Sequence, residues 1–343
     1  MPYSDSYGML CPTIVLFLYT SASNQRVKCL LIPLFSYLGY CIKPTAIFAL
    51  GAIVLVEGFS YLGQVIQAGK KAFSQAFLRR VLTGALCALL SFAAAFGIAG
   101  IVKTASGITP NRENSVSAAH YLMMGFNADY TGVFSSEDLS FSESQPTYDE
   151  RVAANLSAWQ NRVVELGPEG VSKLLAKKAM LSYGEGAFTW RDWYFENVYG
   201  DNAAIRWIYG IPDESQTPLK LKPTDVVPWA WPAQVMWFMC LVGIVLSALK
   251  RNASRKECAL CLALLMLSAF LLLFECRARY LFLFAPYFVI LGTIGWHRFG
   301  RSAVRKRSRT VQVSNRRQHI PSDWTRAPRS RDYGSPRHES KQA

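Results

Sequence analysis

Seven apolar segments divide the 343-residue chain, at 9–20, 29–41, 44–57, 81–103, 228–249, 257–274 and 280–296. A helix needs about 20 apolar residues to cross the hydrocarbon of a bilayer, with a range of about 17–25. Uninterrupted runs such as 81–102 and 258–274 fall in that range. The sequence therefore predicts an all-α integral membrane protein with about seven transmembrane helices. Segments 29–41 and 44–57 read as two short helices meeting at Lys43-Pro44, because the residue before a proline is pushed out of the helical region.

The polar segments alternate in charge. Connectors 21–28, 58–80 and 250–256 are basic, and the tail 297–343 holds 13 Lys and Arg against 3 acids. The long connector 104–227 holds 16 acids against 10 basic residues and no cysteine. An excess of Lys and Arg marks the cytoplasmic side of a multi-pass protein. The expected layout is membrane helices over 1–103 (about four spans, two of them short) and an extracytoplasmic helical loop domain over 104–227. Three more spans follow over 228–296, then a basic, disordered cytoplasmic tail over 297–343. The lipid bilayer is the partner this implies. Of the net charge of +14, the tail supplies +10. That charge has a topological reading, and nucleic acid is not an expected partner.

Within the loop, Val152, Leu156, Trp159, Val163 and Leu166 recur at spacings of 4, 3, 4 and 3, one face of a helix. Gly167-Pro168 ends that helix, and Pro168 can open the next. Val171, Leu174, Leu175 and Leu181 continue a second amphipathic stretch. Trp229, Trp231 and Trp237 crowd the outer end of the fifth span, where an amphipathic ring is favoured.

Several chemistries are excluded. There is no phosphate-binding P-loop, no G-x-S-x-G elbow, no H-E-x-x-H and no G-x-G-x-x-G. Cys258 and Cys261 lack the second ligand pair that zinc requires. His120 is the one histidine on the outer side and reads as a packed residue, so no metal site is expected. The first eight residues carry an acid and no base, unlike a secretory signal. A chain that begins directly on a short span reads as one whose earlier part is missing.

The sharpest feature is Glu275-Cys276-Arg277-Ala278-Arg279-Tyr280-Leu281, a tight outer turn between two spans. Its two arginines stand at the membrane surface on the side the charge rule disfavours. Misplaced basic residues are energetically unfavourable and usually have a partner. The planar guanidinium fork suits phosphate or carboxylate. Lys43 is a second such cation. The alternative is that these are snorkelling anchors, with Glu275 neutralising one arginine. Charge placement alone leaves both readings open.

The run Glu275–Leu281, continued by Phe282-Leu283-Phe284-Ala285-Pro286, resembles the "E-x-R-x-R-Y-L-x-x-F-x-P" turn of polytopic GT-C glycosyltransferases of the protein O-mannosyltransferase type. Ile42-Lys43-Pro44-Thr45 looks like their "I-K-P-T" segment. His120 to Asn127 resembles their "H-(F/Y)-L-M-M-G-L-N", and Tyr183 to Phe188 is similar to "W-x-D-G-T-F". Tyr3-Ser4-Asp5-Ser6 resembles "Y-(S/T)-D-T". These segments span most of residues 3–290. The resemblance implies an inverting hexosyl or mannosyl transfer on the outer face of a bacterial plasma membrane. The donor would be a polyprenyl-phosphate sugar, with no other cofactor. Lys43, Arg277, Arg279 and Tyr280 would bind the donor phosphate.

The family's catalytic carboxylate lies in a first outer loop that this sequence does not present. Asp5 is the one acid at an outer end before the long loop, and so the candidate left. Asp149-Glu150 and Asp213-Glu214 do not match the family position. The chain could be a fragment, an inactive relative or a split-gene product that needs an N-terminal partner subunit. Two other classes stay open: a transporter or flippase of a lipid-linked substrate, and a catalytically inactive membrane partner.

Overall fold

The computed structural model describes residues 4–22, 24–68, 75–107, 111–188, 230–249 and 253–318, with side chains left undescribed at 68, 75–81, 230 and 302–318. The eleven α-helices among them are α1 (Ser4–Gly8), α2 (Leu10–Thr20), α3 (Gln25–Ile42), α4 (Phe48–Ala68), α5 (Gln75–Ala105), α6 (Ala118–Gly125), α7 (Ser136–Glu143), α8 (Tyr148–Tyr183), α9 (Ala230–Ala248), α10 (Arg255–Leu273) and α11 (Ala285–Gln318). No strand occurs among the described residues. Asp213, Glu214, Trp229 and the stretch 189–229 lie outside them. Residues 1–296 form one compact unit and 297–343 a second.

Among the described residues, five helical stretches are long and apolar enough to cross a membrane: Pro44–Gln67, Leu82–Ala105, Trp231–Ala248, Arg255–Leu273 and Ala278–Arg301. This is an all-α integral membrane protein. Five of the seven apolar segments meet this measure among the described residues. The 11-residue α2 and the 18-residue α3, which opens on Arg26 and Lys28, fall outside it. The span beginning at Pro44 is not short, because helix continues beyond the apolar run, to Ala68. Large apolar side chains such as Val54, Phe59, Ile66, Leu89, Phe96 and Ile101 are exposed on these helices, as a lipid-facing surface requires.

The membrane core forms where α2, α4, α10 and the start of α11 meet. Ala46, Ala49 and Ala52, at helical spacing, are all but completely buried, as are Ala263, Leu267 and Leu271 of α10. Small residues let two helices approach closely where no water remains to drive association. Tyr37 of α3 meets Phe92 and Phe96 of α5 at ring separations of 6.3 and 6.4 Å.

The two ends of the helix group carry different chemistry. At one end Lys28 Nζ donates to the carbonyls of Tyr19 and Ser21, and Lys256 Nζ to that of Thr20 at 2.6 Å. These cations satisfy the last carbonyls of α2. Nearby, Glu57 accepts from Tyr19 at 2.7 Å and pairs with Arg255 at 3.3 Å. The other end carries the loop domain.

In that domain α8 starts at a capping box: Thr147 Oγ1 accepts from Glu150 N, and Glu150 Oε2 accepts from Thr147 N. Such reciprocal capping satisfies two otherwise orphaned donors. The helix kinks at Gly167, whose φ of 59° is left-handed, with Pro168 opening the second half. The expected apolar stripe is displaced, since Leu156 is 38% exposed. The inward positions are Arg151, Asn155, Leu174, Lys178 and Ser182. Their spacing is as helical as the apolar one, but four of the five are polar, so hydrophobicity did not mark them.

Helix α11 also runs on to Gln318, where the sequence led us to expect a disordered tail from His297. Residues 301–318 contain no Gly or Pro, and Arg, Lys, Gln and Ala are favourable in helices.

Candidate functional site

The two junctions at Lys43 and Arg277 have the same local form. Lys43 is extended (φ −147°, ψ 112°) and opens a 3-10 turn, Pro44–Ile47, that leads into α4. Arg277 is extended (φ −154°, ψ 149°) and opens a 3-10 turn, Ala278–Phe284, that leads into α11. Each places a cation where helical backbone hydrogen bonding is interrupted, at the mouth of a span.

Four of the five expected site residues come together between these junctions. Lys43 Nζ lies 2.6 Å from Asp5 Oδ1, with the lysine side chain 21% exposed and the aspartate side chain 6%. The same ammonium sits 4.7 Å from the centroid of the Tyr280 ring. The Arg279 guanidinium lies 5.1 Å from that centroid, and its Nη2 donates to the Tyr280 hydroxyl at 3.3 Å. Cations are drawn to the face of an aromatic ring, and here two share one.

Arg277 opens the same turn. Its Nε is buried and has no hydrogen-bond partner among the described residues. Glu275 is 8% exposed and hydrogen-bonds Tyr280. The Glu275 charge also acts on Arg279.

What fixes this turn is a residue that sequence reasoning passed over. Lys178 of α8 is fully buried, and its Nζ donates to the carbonyls of Gly125 (2.8 Å), Leu272 (2.7 Å) and Phe274 (2.7 Å). It closes the C-terminal ends of α6 and α10 at once. Burial pulls its pKa down to about 8, against the opposing fields of Cys276 and Glu275. Cys276 N donates to Gly132 O at 3.0 Å. Gly132 has φ 71°, and a Cβ there would lie 2.7 Å from Gly125 O and 2.9 Å from Lys178 Cε. Gly132 is therefore held to glycine by both conformation and space. The i, i+4 series Leu174, Lys178, Ser182 was the available signal for Lys178.

The remaining motif residues are scaffold. His120 is 2% exposed, and its Nδ1 lies 2.7 Å from Ser142 Oγ. Burial lowers its pKa, opposed by Asp138 and Glu143. It is the packed histidine the sequence suggested. Asp138 takes two hydrogen bonds from Arg162 (2.6 and 3.0 Å) and one from Asn127 (3.0 Å). Burial works to raise its pKa, but those bonds and the Arg162 charge prevail and hold it below the usual value. The Tyr183–Phe188 segment docks on the tops of α9 and α10. Trp237 Nε1 donates to Tyr183 O at 2.8 Å, Gln234 Oε1 accepts from Gly186 N at 2.8 Å, and the Tyr183 and Ser268 hydroxyls are hydrogen-bonded. Trp237, expected as an interfacial ring, is instead 5% exposed beneath this segment, while Trp231 is 61% exposed.

A family model described as "Conserved hypothetical integral membrane protein" matches residues 1–299. The chain belongs to that family. No curated protein matches the chain, and no solved structure does. The matched stretch of this integral membrane protein takes in α1 to α10, the first part of α11 and every residue of the cluster. The family's description names a membrane location and no reaction, glycosyl transfer included.

Proposed function

We propose that the chain is a membrane glycosyltransferase of the GT-C kind, or the C-terminal part of one. It would transfer a sugar from a polyprenyl-phosphate donor to an acceptor hydroxyl at the membrane face that carries the loop domain. The supporting observation is the convergence of a buried carboxylate, Asp5, with Lys43, Arg279 and Tyr280, beside Arg277 with its unpartnered Nε. In this reading Asp5 is the general base that takes the acceptor proton. The cations stabilise charge that develops on the departing phosphate. The charge asymmetry supports a plasma-membrane topology with residues 104–227 outside and the tail inside. In intact cells, Ser136→Cys on exposed α7 should then react with an impermeant thiol reagent and Ser314→Cys should not. The reverse labelling would end the assignment of sides.

A flippase of the same lipid class is the second reading, favoured by the two interrupted junctions at Lys43 and Arg277, since transporters bind at broken helices. One experiment bears on both. Purified protein in nanodiscs should bind a polyprenyl monophosphate, and Arg277→Ala should weaken that binding about tenfold to hundredfold, since a charge-assisted hydrogen bond is worth about 1.5–3 kcal/mol. Arg277→Lys should recover part of the loss, because an ammonium lacks the fork. Unchanged binding by folded Arg277→Ala would remove the phosphate site from both readings. Sugar transfer to an added acceptor then separates enzyme from flippase.

A further inference from the structure

We infer that Lys43 is shared between two anions, pairing with Asp5 in the resting protein and with the donor phosphate once Asp5 is neutralised. The inference rests on the glycosyl-transfer reading and assigns Lys43 a role within it.

The geometry has three parts. Lys43 and Asp5 are in ion-pair contact at 2.6 Å, with the carboxylate almost fully enclosed. In this pair one of the carboxylate oxygens is covered by the ammonium. Lys43 also faces the Tyr280 ring, the same ring that faces Arg279. The ammonium thus stands between the carboxylate and the arginine turn, on a flexible four-carbon stem. The cluster sums to three cations, Lys43, Arg277 and Arg279, against two carboxylates, Asp5 and Glu275. A phosphodiester donor brings one negative charge and balances it.

The chemistry moves that charge. The acceptor O–H bond breaks and its proton passes to the Asp5 carboxylate. The acceptor oxygen forms a bond to the anomeric carbon. The bond from that carbon to the phosphate oxygen breaks, and its electron pair leaves on the phosphate. Negative charge disappears from Asp5 as it appears on the phosphate. Lys43, placed between them, loses one partner as the other grows, so its pairing is stronger in the transition state than in the ground state.

The test uses the full chain in nanodiscs and a polyprenyl monophosphate as the probe. Asp5→Asn imitates the protonated carboxylate in size and charge. It should bind the probe about tenfold tighter than the wild type, because the opposing charge is gone and Lys43 is released. Asp5→Ser serves the same purpose should the amide not fold. In a Lys43→Gln background, neutralising Asp5 should change the affinity less than twofold, since coupled residues lose their effect together. Unchanged or weaker binding by both Asp5 variants, beside a wild type that binds, would overturn the shared lysine and leave the phosphate site standing. A gain that persists without Lys43 would also overturn it. A wild type that does not bind the probe would remove the site and this inference together.

Discussion

Lys178→Met should cost the protein about 3–5 kcal/mol, read as loss of folded yield and a lower melting temperature in detergent. The substitution keeps the apolar stem and removes the ammonium. The carbonyls of Gly125, Leu272 and Phe274 then lose the donor they share. A buried acceptor left unsatisfied costs about 1–3 kcal/mol, and relief from burying a charge offsets part of the sum. Lys178→Arg should fail as well, because Gly132 leaves no room for a larger head beside the lysine stem. The pH dependence has a definite sign. The folded pKa of about 8 lies below the model value of 10.5. The unfolded chain therefore holds the proton in the window where the folded chain has shed it, and stability from this group rises between those values. The gap between wild type and Lys178→Met should widen from pH 8 to pH 10, and a narrowing gap would show that the amine is not enclosed in solution.

Gly125→Val should be comparably damaging. A Cβ at this position would stand 2.6 Å from Leu273 O and 2.7–2.8 Å from the carbonyl group of Phe274. Both neighbours are backbone at the end of α10, so neither can rotate aside. Overpacking of this kind costs about 1–3 kcal/mol for small additions, and a branched side chain exceeds them. The loop domain would be pushed off the turn that carries Arg277. Gly97→Ala in α5 is the control: nothing lies within 4 Å of a Cβ there, and alanine favours helix by about 0.5–1 kcal/mol. Equal melting temperatures for Gly125→Val and Gly97→Ala would mean that α6 does not pack on α10.

The sequence showed the membrane helices wherever apolar runs were long, as in α5 and α10, and it showed the Lys43-Pro44 junction because proline dictates the preceding backbone. It put Asp5, Lys43, Arg279 and Tyr280 on one side of the membrane, but no spacing rule could bring residue 5 to within 2.6 Å of residue 43. That contact depends on how α1 packs across the ends of two other helices. The loop domain was the least legible part. Its inward face is built of Arg151, Asn155, Lys178 and Ser182; Arg151 and Lys178 donate to backbone carbonyls, and Asn155 accepts from Ser142 Oγ. A search for apolar periodicity passes over such a face and settles on the neighbouring stripe with Leu156, which is exposed. Glu275 was seen beside the arginines, but its proximity to the Tyr280 ring could not be read from adjacency in sequence.

The pairing of Asp5 with Lys43 has a consequence for biogenesis. A ribosome delivers both residues to the membrane long before Arg277 and Arg279 have been synthesised. During that interval the early helices must insert with a carboxylate and an ammonium at their ends. Joined at 2.6 Å, the two form a neutral unit that the first hairpins can carry without waiting for the rest of the chain. The arginine turn follows much later in the chain, with Glu275 in its own segment.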